Sequence, residues 1–363
     1  MPDGQIYSAE VVDARPVIEV DGVQIPGLSD LLIGLEMREQ LGGLSTCEIL
    51  FSNLIDHDGA GRNFAFEFSE TNHFAPGAAI RVLMGDATGP TEVFRGLISA
   101  VSFECIDASR PRLRIMAEDG LMGWRMRRRN RSFPAGPLRD VFQALTADTG
   151  LTAVITGLND PVDEQQQLNE TDLGFLRRLL ARYDADAQVV GTQLHISPRA
   201  AVDRGAVTLT LGDHLKSIRV TADLADQRPH TQIHGFSLLA GQTEAIVSSE
   251  TELGPGEGIT GSQMVTQAFP QAVDVLRMTA FQDATEAQTI ADVAQNTRTR
   301  RFVIAEGTCV GNAALRVGAY VTLQDIGPRF SNVYYATRAC HRYDEKAGYV
   351  TDFTAETAFL GRL

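Results

Sequence analysis

From Pro16 to about Arg131, apolar and polar side chains alternate with a period of two, the pattern of half-buried β-strands. A first hairpin is predicted in PVIEVDGVQI, where Asp21 and Gly22 provide the turn. Clusters of Gly, Pro, Asn and Asp separate the further β-rich runs, which read TCEILFSN, AIRVLMGD, EVFRGLISAVSFE and RLRIMAE. This pattern predicts an antiparallel sheet closed into a barrel or a sandwich.

The periodicity becomes helical at SFPAGPLRDVFQALTADTG. Apolar residues follow the spacing i, i+3, i+4 and i+7, at Leu138, Val141, Phe142 and Leu145. Pro137 is predicted in the first turn of this helix, and Gly150 lies just past its end.

A second helix, followed by a hairpin, is predicted in LNETDLGFLRRLLARYDADAQVVGTQLHIS. Asn169 is the predicted N-cap, with Asp172 in the first turn, where a carboxylate favours the helix dipole. The apolar stripe consists of Leu173, Phe175, Leu176, Leu179, Leu180 and Tyr183, and the outer face carries Arg177, Arg178 and Arg182. Gly191 and Thr192 form the hairpin turn. Two helices and a hairpin bury too little surface alone, so this unit is expected to pack against a neighbouring β domain.

Strand patterns return at Ala206, in AVTLTLG, LKSIRVTAD and TQIHGFSLL. A glycine-rich segment, ELGPGEGITGS, is predicted to be a flexible loop, and a mixed segment follows to about Gln282. DATEAQTIADVAQNTRTRRF predicts a helix in which Asp283 and Glu286 have the spacing of a capping box. The closing strands are predicted in RFVIAEGTCVG, RVGAYVTLQDI, NVYYATRACHRYD and GYVTDFTAET.

These patterns predict an α+β fold that is mainly β. Its parts are an N-terminal segment at 1–15, a first β domain at 16–131, an α/β domain of two helices and a hairpin at 132–205, and a second β domain at 206–363 with a helical insertion near 283–300. A length of 363 residues fits two or three domains. Two β domains of similar size are compatible with a distant duplication, but the sequence shows no repeat.

Composition describes an ordinary globular protein, with 44% hydrophobic and 21% charged residues. No apolar run approaches the roughly 20 residues of a membrane helix, and the N-terminus lacks the pattern of a secretory signal. The four cysteines are widely scattered and match no metal or redox spacing. We predict that Cys47, Cys105, Cys309 and Cys340 are reduced core residues of a cytosolic product.

The formal net charge is −14, from 46 acidic and 32 basic residues, which disfavours general nucleic-acid or membrane binding. The exception is RMRRRNR, which contains Arg125, Arg127, Arg128, Arg129 and Arg131. One interpretation is a solvated turn after a strand. The other is a subunit contact, because the planar guanidinium suits carboxylate pairing across interfaces. A nucleic-acid patch is the least favoured interpretation.

Candidate chemistry is sparse. His230 and His234 lie in a β-like run, where residues four apart are separated by about 13 Å, so no metal site is predicted. The GPGEG segment lacks the Lys-Ser/Thr ending of a phosphate loop and the following helix of a dinucleotide fingerprint. Acidic pairs such as Glu118-Asp119 and Asp344-Glu345 are expected by chance among 46 carboxylates. We therefore predict no catalytic residue, cofactor or metal. A glycan-binding module is disfavoured by the single tryptophan, Trp124, and by the missing secretory signal.

One run carries a family resemblance. QQQLNETDLGFLRRLLARYDADAQVVGTQLHIS resembles the signature of the phage late control gene D family, which includes tail baseplate hubs and the hub portion of VgrG-type spike proteins. The matching positions are Asn169, Glu170, Thr171, Asp172, Phe175, Leu176, Arg177, Arg178, Leu179 and Tyr183. The C-terminal run from Leu315 resembles the closing strands of that family, at Gly318, Val321, Phe330, Tyr335, His341, Gly348, Tyr349, Thr351 and Phe353.

The resemblance implies two tube-like antiparallel β-barrel domains with a small α/β domain between them. Three chains would form a homotrimer with a pseudo-sixfold ring, which adapts a hexameric tail tube to a trimeric spike. The expected partners are other copies of the chain, the spike, the tail tube or a tube-initiator protein, and other baseplate proteins. VgrG-type chains continue into a spike, whereas this sequence stops at Leu363, so a separate spike polypeptide is expected.

The expected location is the baseplate of a phage tail or of an injection particle, assembled in the bacterial cytoplasm. The helix-hairpin unit is expected to buttress the barrels, and the arginine run is interpreted as an inter-subunit or hub-to-baseplate contact. The alternative hypothesis is a cell-wall-degrading or other enzyme on a hub-like scaffold.

Overall fold

A computed structural model describes residues 15–25, 27–53, 55–56, 64–65, 73–85, 89–106, 110–147, 149–201, 204–249 and 252–361. The chain is mainly β and is built on a large, predominantly antiparallel sheet. Of the predicted N-terminal segment 1–15, all but Arg15 lies outside the described residues.

The first β region contains every strand that the alternation pattern predicts. Asp21 and Gly22 both adopt positive φ angles, 50° and 78°, as a tight hairpin turn requires, so the first predicted hairpin is confirmed. A 3₁₀ turn occupies Leu28–Leu31. The strands are β1 Val17–Val20, β2 Val23–Gln24, β3 Leu32–Gln40, β4 Thr46–Ser52, β5 Ile55–Asp56, β6 Phe64–Ala65, β7 Ala79–Met84, β8 Thr91–Glu104 and β9 Arg112–Glu118.

The middle of the chain forms the α/β unit. Its elements are α1 Met122–Met126, β10 Arg128–Phe133, β11 Gly136–Pro137, α2 Leu138–Thr146, β12 Thr152–Ile155, β13 Pro161–Val162, β14 Gln165–Thr171, α3 Asp172–Arg182, β15 Ala185–Val190 and β16 Gln193–Pro198. The predicted apolar stripe of α2 is buried along its whole length. Pro137 is the N-cap of α2, one position before the predicted first turn. The predicted β15–β16 hairpin is confirmed, and β12 extends its sheet in parallel to β16.

The last region begins with a 3₁₀ turn at Arg199–Ala201. It then contains β17 Ala206–Thr210, β18 Leu215–Ala222, β19 Thr231–Ser237, β20 Gln242–Val247, β21 Ile259–Thr260, α4 Gly261–Ala268, β22 Asp274–Phe281, α5 Ala284–Arg300, β23 Val303–Val310, β24 Tyr320–Gln324, β25 Asn332–Asp344, β26 Gly348–Thr357 and β27 Phe359–Leu360. The predicted helix is confirmed as α5, with the Asp283 carboxylate accepting a hydrogen bond from the Glu286 backbone N–H at 2.9 Å.

The glycine-rich segment differs from its prediction in two respects. It leads into a helix, α4, which begins with a capping box formed by Thr260 and Gln263. The segment is also held against the C-terminal strands, because the Glu257 backbone N–H donates to Asn332 Oδ1 at 3.0 Å. A Cβ atom at Gly258 would lie 2.1 Å from the carbonyl oxygen of Leu360, so only glycine allows this close approach.

One sheet runs through both β regions. Its strand order is β18-β23-β26-β25-β3-β4-β9-β8-β7-β1-β2, and β24 joins it by pairing with β25, with β17 beside β24. The two regions meet where β25 pairs antiparallel with β3, from Arg338 opposite Gln40 to Asp344 opposite Gly34. The two β regions therefore share a continuous backbone hydrogen-bond ladder.

The packing of side chains follows the same connection. Tyr343 and Tyr349, from the C-terminal strands, belong to the hydrophobic core of the first β region. The α/β unit has its own core around Phe142, Phe175 and Leu179. Sheet β20-β19-β22 packs on α5 around Ile233 and Phe281.

The prediction that the cysteines are core residues is confirmed for three of them and wrong for one. Cys47, Cys309 and Cys340 are buried, whereas Cys105 is exposed just beyond the end of β8. Cys105 is exposed because the hydrophobic core covers only the first half of β8, and the strand extends beyond the core before it reaches Cys105.

Candidate functional site

The N-terminus of α3 is capped by Thr171, so the prediction of Asn169 as the cap is wrong. Thr171 has extended backbone angles, and its Oγ1 accepts a hydrogen bond from the Gly174 N–H at 3.0 Å. Asn169 lies two residues earlier, within β14, at a φ of 47°. Asparagine tolerates this left-handed conformation better than most residues, which explains its presence there without a capping role.

Asp172 brings together two motifs that are distant in sequence. Its buried carboxylate receives Arg131 Nη2 at 2.6 Å and lies 3.1 Å from Arg129 Nε. Gln167 Nε2 donates to the same carboxylate at 2.8 Å. Arg128, Arg129 and Arg131 of the arginine run lie in β10, which pairs antiparallel with β14 directly before α3. The signature segment and the arginine run are therefore one structural unit, closed by a buried charge cluster.

The remaining signature residues connect this unit to its neighbours. Phe175, Leu176 and Leu179 are fully buried. Arg177 donates to the carbonyl oxygens of Gly42 and Gly43, at 3.1 and 3.0 Å, in the turn between β3 and β4. The helix therefore holds the first β region through its outer face.

Two further arginines of α3 also have defined partners. Arg178 pairs with Glu170 at 3.0 Å. Arg182 pairs with Glu286 at the start of α5, so the same helix face contacts the last region as well. Tyr183, at the end of the helix, accepts a hydrogen bond on its hydroxyl from Gln165 Nε2 at 3.2 Å.

The arginine run divides into internal and outward-facing residues. Besides Arg129 and Arg131, Arg125 pairs with Glu118 at 2.6 Å, and Arg128 Nη1 donates to the Asn169 carbonyl at 2.6 Å. Arg127 is exposed and forms no ion pair within the described part of the chain. Met126 beside it is 69% exposed and Leu168 is 67% exposed.

A group of buried and largely buried polar side chains lies where the α/β unit meets the two β regions, and we call it the junction network. Its members are Glu39, Asp184, Asp186, Gln188, Arg199, Arg204, Arg300, Arg316, Tyr335 and Glu356. Each of the three parts of the chain contributes residues. Since an unpaired buried charge is strongly unfavourable, these pairs fix how the three parts are placed.

Glu39 is the most deeply buried carboxylate of the junction network. It accepts Arg316 Nε at 2.7 Å, Gln188 Nε2 at 2.8 Å and the Val317 backbone N–H at 3.2 Å. Burial alone would raise the pKa of Glu39. The charge and hydrogen bonds of Arg316 outweigh burial, so the pKa of Glu39 lies below its usual value.

Asp186 forms the second centre of the network. It accepts Arg204 Nη1 at 2.9 Å and the Tyr335 hydroxyl at 3.0 Å. Burial, together with the negative charge of Asp186, raises the pKa of Tyr335 well above its usual value, so its hydroxyl stays a hydrogen-bond donor. Arg199 pairs with Glu356 and lies over the Tyr335 ring at 4.8 Å.

Three of the C-terminal residues that match the family resemblance, His341, Tyr349 and Thr351, form a small buried cluster. His341 Nδ1 lies 2.8 Å from the Tyr349 hydroxyl and 3.3 Å from Thr351 Oγ1. Burial and the nearby Arg316 lower the pKa of His341 to about 4, so the ring is neutral at pH 7. Gly318 and Gly348 adopt positive φ angles of 90° and 67°, which glycine allows without strain.

The other chemical candidates have structural partners. Asp119 accepts the Ser45 and Leu121 N–H groups at 2.6 and 2.9 Å, and burial raises its pKa to about 6. Asp344 accepts the backbone N–H groups of Lys346 and Ala347 in a turn.

His230 and His234 each lie beside the Gln232 side chain. Within the described ranges, no group of three or more His, Cys, Asp or Glu residues is arranged to hold a metal ion. Nor does that part of the chain contain a helix long and apolar enough to cross a membrane.

Known proteins with a similar sequence or structure were compared with the chain. The family described as the Alg8 N-terminal domain matches residues 11–345. None of the curated proteins matches the chain. Among solved structures, the 43 kDa tail protein of prophage MuSo2 from Shewanella oneidensis superposes with a TM-score of 0.71 at 14% identity, over 95% of this chain and 98% of that one.

Two other solved structures are similar. The tail protein from Neisseria meningitidis MC58 has a TM-score of 0.66 at 10% identity, over 94% of this chain and 96% of that one. The E. coli c3393 protein, a component of the type VI secretion system, has a TM-score of 0.57 at 14% identity, over 95% of this chain and 79% of that one. The chain therefore shares its fold with phage tail and type VI secretion proteins.

Proposed function

The chain belongs to the Alg8 N-terminal domain family, and we propose that it is a structural baseplate hub of a contractile phage tail or of a related contractile injection system. The observation that carries this proposal is the continuous sheet, which passes from one β region to the other through β25 and β3 while α3 is bonded to both regions. A hub must transmit force between a tube and a spike without changing shape, and this connection joins the two β regions and the α/β unit through one sheet and one helix.

The finer architecture is part of the same proposal. Residues 16–131 and 206–363 form two tube-like barrels, residues 132–205 form the α/β domain between them, and residues 1–15 precede them. Three copies form a ring with pseudo-sixfold symmetry, since each copy supplies two similar β regions. The ring joins a hexameric tail tube, or a tube-initiator protein, to a trimeric spike, within a baseplate assembled in the bacterial cytoplasm.

A surface for contact with another subunit or a baseplate protein is proposed at the outward-facing part of the arginine run. Arg127 and Arg128 are exposed and directly follow the exposed residue Met126. A cationic surface beside an apolar side chain complements an acidic protein better than it complements solvent, and the chain itself carries a net charge of −14. Arg129 and Arg131 are not part of this surface, because they bind Asp172.

Light scattering on the purified protein, alone and with a candidate spike protein, tests the proposal. The expected result is a particle of about three times the chain mass of 39.4 kDa, or a three-to-three complex with the spike. Electron microscopy of that particle should show a ring with six similar lobes around a central channel. A monomer in both samples would contradict the hub proposal.

A further inference from the structure

The two halves of the large sheet are built as repeats of the same four-strand unit. Read along the sheet, one unit is β18-β23-β26-β25 and the next is β3-β4-β9-β8. Each unit ends in a long strand, β25 or β8, whose first part pairs with an additional strand, β24 or β7. This order makes β18 equivalent to β3, β23 to β4, β26 to β9 and β25 to β8.

Irregularities in the strands occur at equivalent places in both units. Thr337 in β25 is a bulge residue whose hydroxyl donates to the Thr354 carbonyl at 3.1 Å, 17 residues later. Ser99 in β8 is a bulge residue whose hydroxyl donates to the Met116 carbonyl at 3.1 Å, also 17 residues later. Bulges are specific features of a strand, so this agreement in position and bonding identifies a repeat.

A second pair of bulges supports the same alignment. β18 carries an extra residue between Leu215 and Ser217, and β3 carries one between Leu32 and Gly34. With both pairs of bulges aligned, four positions hold the same residue in both units. These matched pairs are Leu32 with Leu215, Glu48 with Glu306, Ala117 with Ala355, and Glu118 with Glu356.

The junction between the two units shows how one unit binds the next. After its bulge, β25 pairs with β3 over residues 338–344. The equivalent edges at the two ends of the eight strands that the two units form together are residues 100–104 of β8 and the strand β18. Within the described residues, residues 100–104 of β8 pair only with β9, and β18 pairs only with β23. Neither edge has a second partner strand there.

We propose that residues 100–104 of β8 in one copy pair antiparallel with β18 of the next copy, as β25 pairs with β3 within the chain. This inference rests on the proposed ring and names the residues of its subunit contact. Transferring the register of the internal junction gives the contact pairs Ala100 with Asp223, Val101 with Ala222, Ser102 with Thr221, Phe103 with Val220 and Glu104 with Arg219.

The chemistry of these pairs agrees with the register. Glu104 faces Arg219, and the equivalent pair inside the chain is Arg342 opposite Glu36, with the signs exchanged. On the other face, Phe103 and Val101 are 57% and 36% exposed in the single chain. The pairing would cover them with Val220 and Ala222. Opposite charges and apolar residues directly across antiparallel strands stabilise the pairing.

Disulfide formation between copies tests this register. Directly opposite residues in an antiparallel pair have Cα atoms about 4.5–5.5 Å apart, which suits a disulfide. The test protein carries Ser102→Cys and Thr221→Cys, with Cys105→Ser to remove the exposed native thiol. The control carries Ser102→Cys and Ser217→Cys, four residues out of register and therefore about 13 Å apart.

A geometric control exists within the chain. Cys340 and Arg38 are equivalent to Ser102 and Thr221, and they face each other across the internal junction. Arg38→Cys should therefore form an intrachain disulfide with the native Cys340 under the same mild oxidation, detected by mass spectrometry.

The expected result is covalent dimer and trimer from the 102/221 protein, at least tenfold more than from the 102/217 protein. Equal or absent cross-linking overturns the proposed register. Light scattering of the unmodified protein distinguishes a wrong register from a wrong hub proposal, because it measures the number of copies independently of the disulfide. If the protein is a trimer but the 102–221 disulfide does not form, only the register is rejected. If the 102–221 disulfide forms but links more than three copies in an open-ended series, the register is supported and the trimeric ring is rejected. A monomer without the disulfide rejects both.

Discussion

Arg316 donates its Nε–H to Glu39 at 2.7 Å, and the two residues are 277 positions apart in the chain. Glu39 is on β3 of the first β region, and Arg316 precedes β24 of the last. We predict that Glu39→Gln lowers the free energy of unfolding by about 3–5 kcal/mol, because it leaves the Arg316 guanidinium buried without its counter-charge. Urea unfolding followed by circular dichroism measures this change.

A neighbouring pair on the same strand provides the control. Arg38 and Glu36 lie 2.7 Å apart, but the Arg38 side chain is 54% exposed. Arg38→Ala should lower the free energy of unfolding by no more than about 1 kcal/mol, since exposed ion pairs contribute little. Equal losses for Glu39→Gln and Arg38→Ala would contradict the assignment of the junction network as the main polar link between the regions.

The arginine run should respond unequally to charge reversal. Arg131→Glu places a carboxylate against the buried Asp172, and we expect a loss of more than about 3 kcal/mol, as for a broken buried pair. Arg127→Glu should change the free energy of unfolding by less than about 0.5 kcal/mol, as at ordinary surface positions. If Arg127 binds another subunit, the same substitution should instead weaken the trimer in sedimentation experiments. A stable trimer in the Arg127→Glu protein would reject that contact.

The cap of α3 gives a matched pair of substitutions two residues apart. Thr171→Ala removes the hydroxyl that accepts the Gly174 N–H, and we expect a loss of about 1 kcal/mol. Asn169→Gly keeps a residue that tolerates a positive φ, so the free energy of unfolding should stay within about 0.5 kcal/mol of the unsubstituted protein. Thermal and urea unfolding of both variants would test the assignment, and a larger loss at Asn169 would return the capping role to that residue.

Local patterns predicted the strands and helices well because those patterns act over short distances. The stripe from Leu138 to Leu145 and the turn at Asp21 and Gly22 are determined by neighbours a few residues away. The N-cap of α3 was missed because Asn169, Thr171 and Asp172 are all good capping residues, and the choice depends on how far β14 extends along β10.

The candidate site was harder to predict because it depends on long-range pairing. The sequence shows the arginine run and the α3 signature as separate motifs, and only the register of β10 with β14 places Arg131 beside Asp172. The internal repeat was also invisible, because bulges at Ser99 and Thr337 leave no pattern in composition or periodicity.

The neutral state of His341 predicts a specific loss of stability in acid. The pKa of His341 is about 4 in the folded protein, because of burial and Arg316, whereas an unfolded histidine has a pKa near 6.5. As the pH falls, the unfolded chain therefore binds this proton first. The stabilisation is complete above about pH 6.5 and is lost as the pH falls towards about 4, by about 3 kcal/mol in all.

His341→Phe isolates this effect, because phenylalanine keeps a planar aromatic ring but carries no group that binds a proton in this pH range. Phe103 occupies the equivalent position in β8, but there it is 57% exposed, whereas His341 is buried. The substitution leaves the Tyr349 hydroxyl without the imidazole, so the variant should be less stable at pH 7. Between pH 6.5 and 4.5, however, the unsubstituted protein should lose stability relative to the variant. Asp119, whose raised pKa has the opposite effect on stability over this range, is present in both proteins and cancels from the difference. Parallel slopes for the two proteins in urea unfolding across this range would show that His341 takes up its proton equally in the folded and unfolded chain.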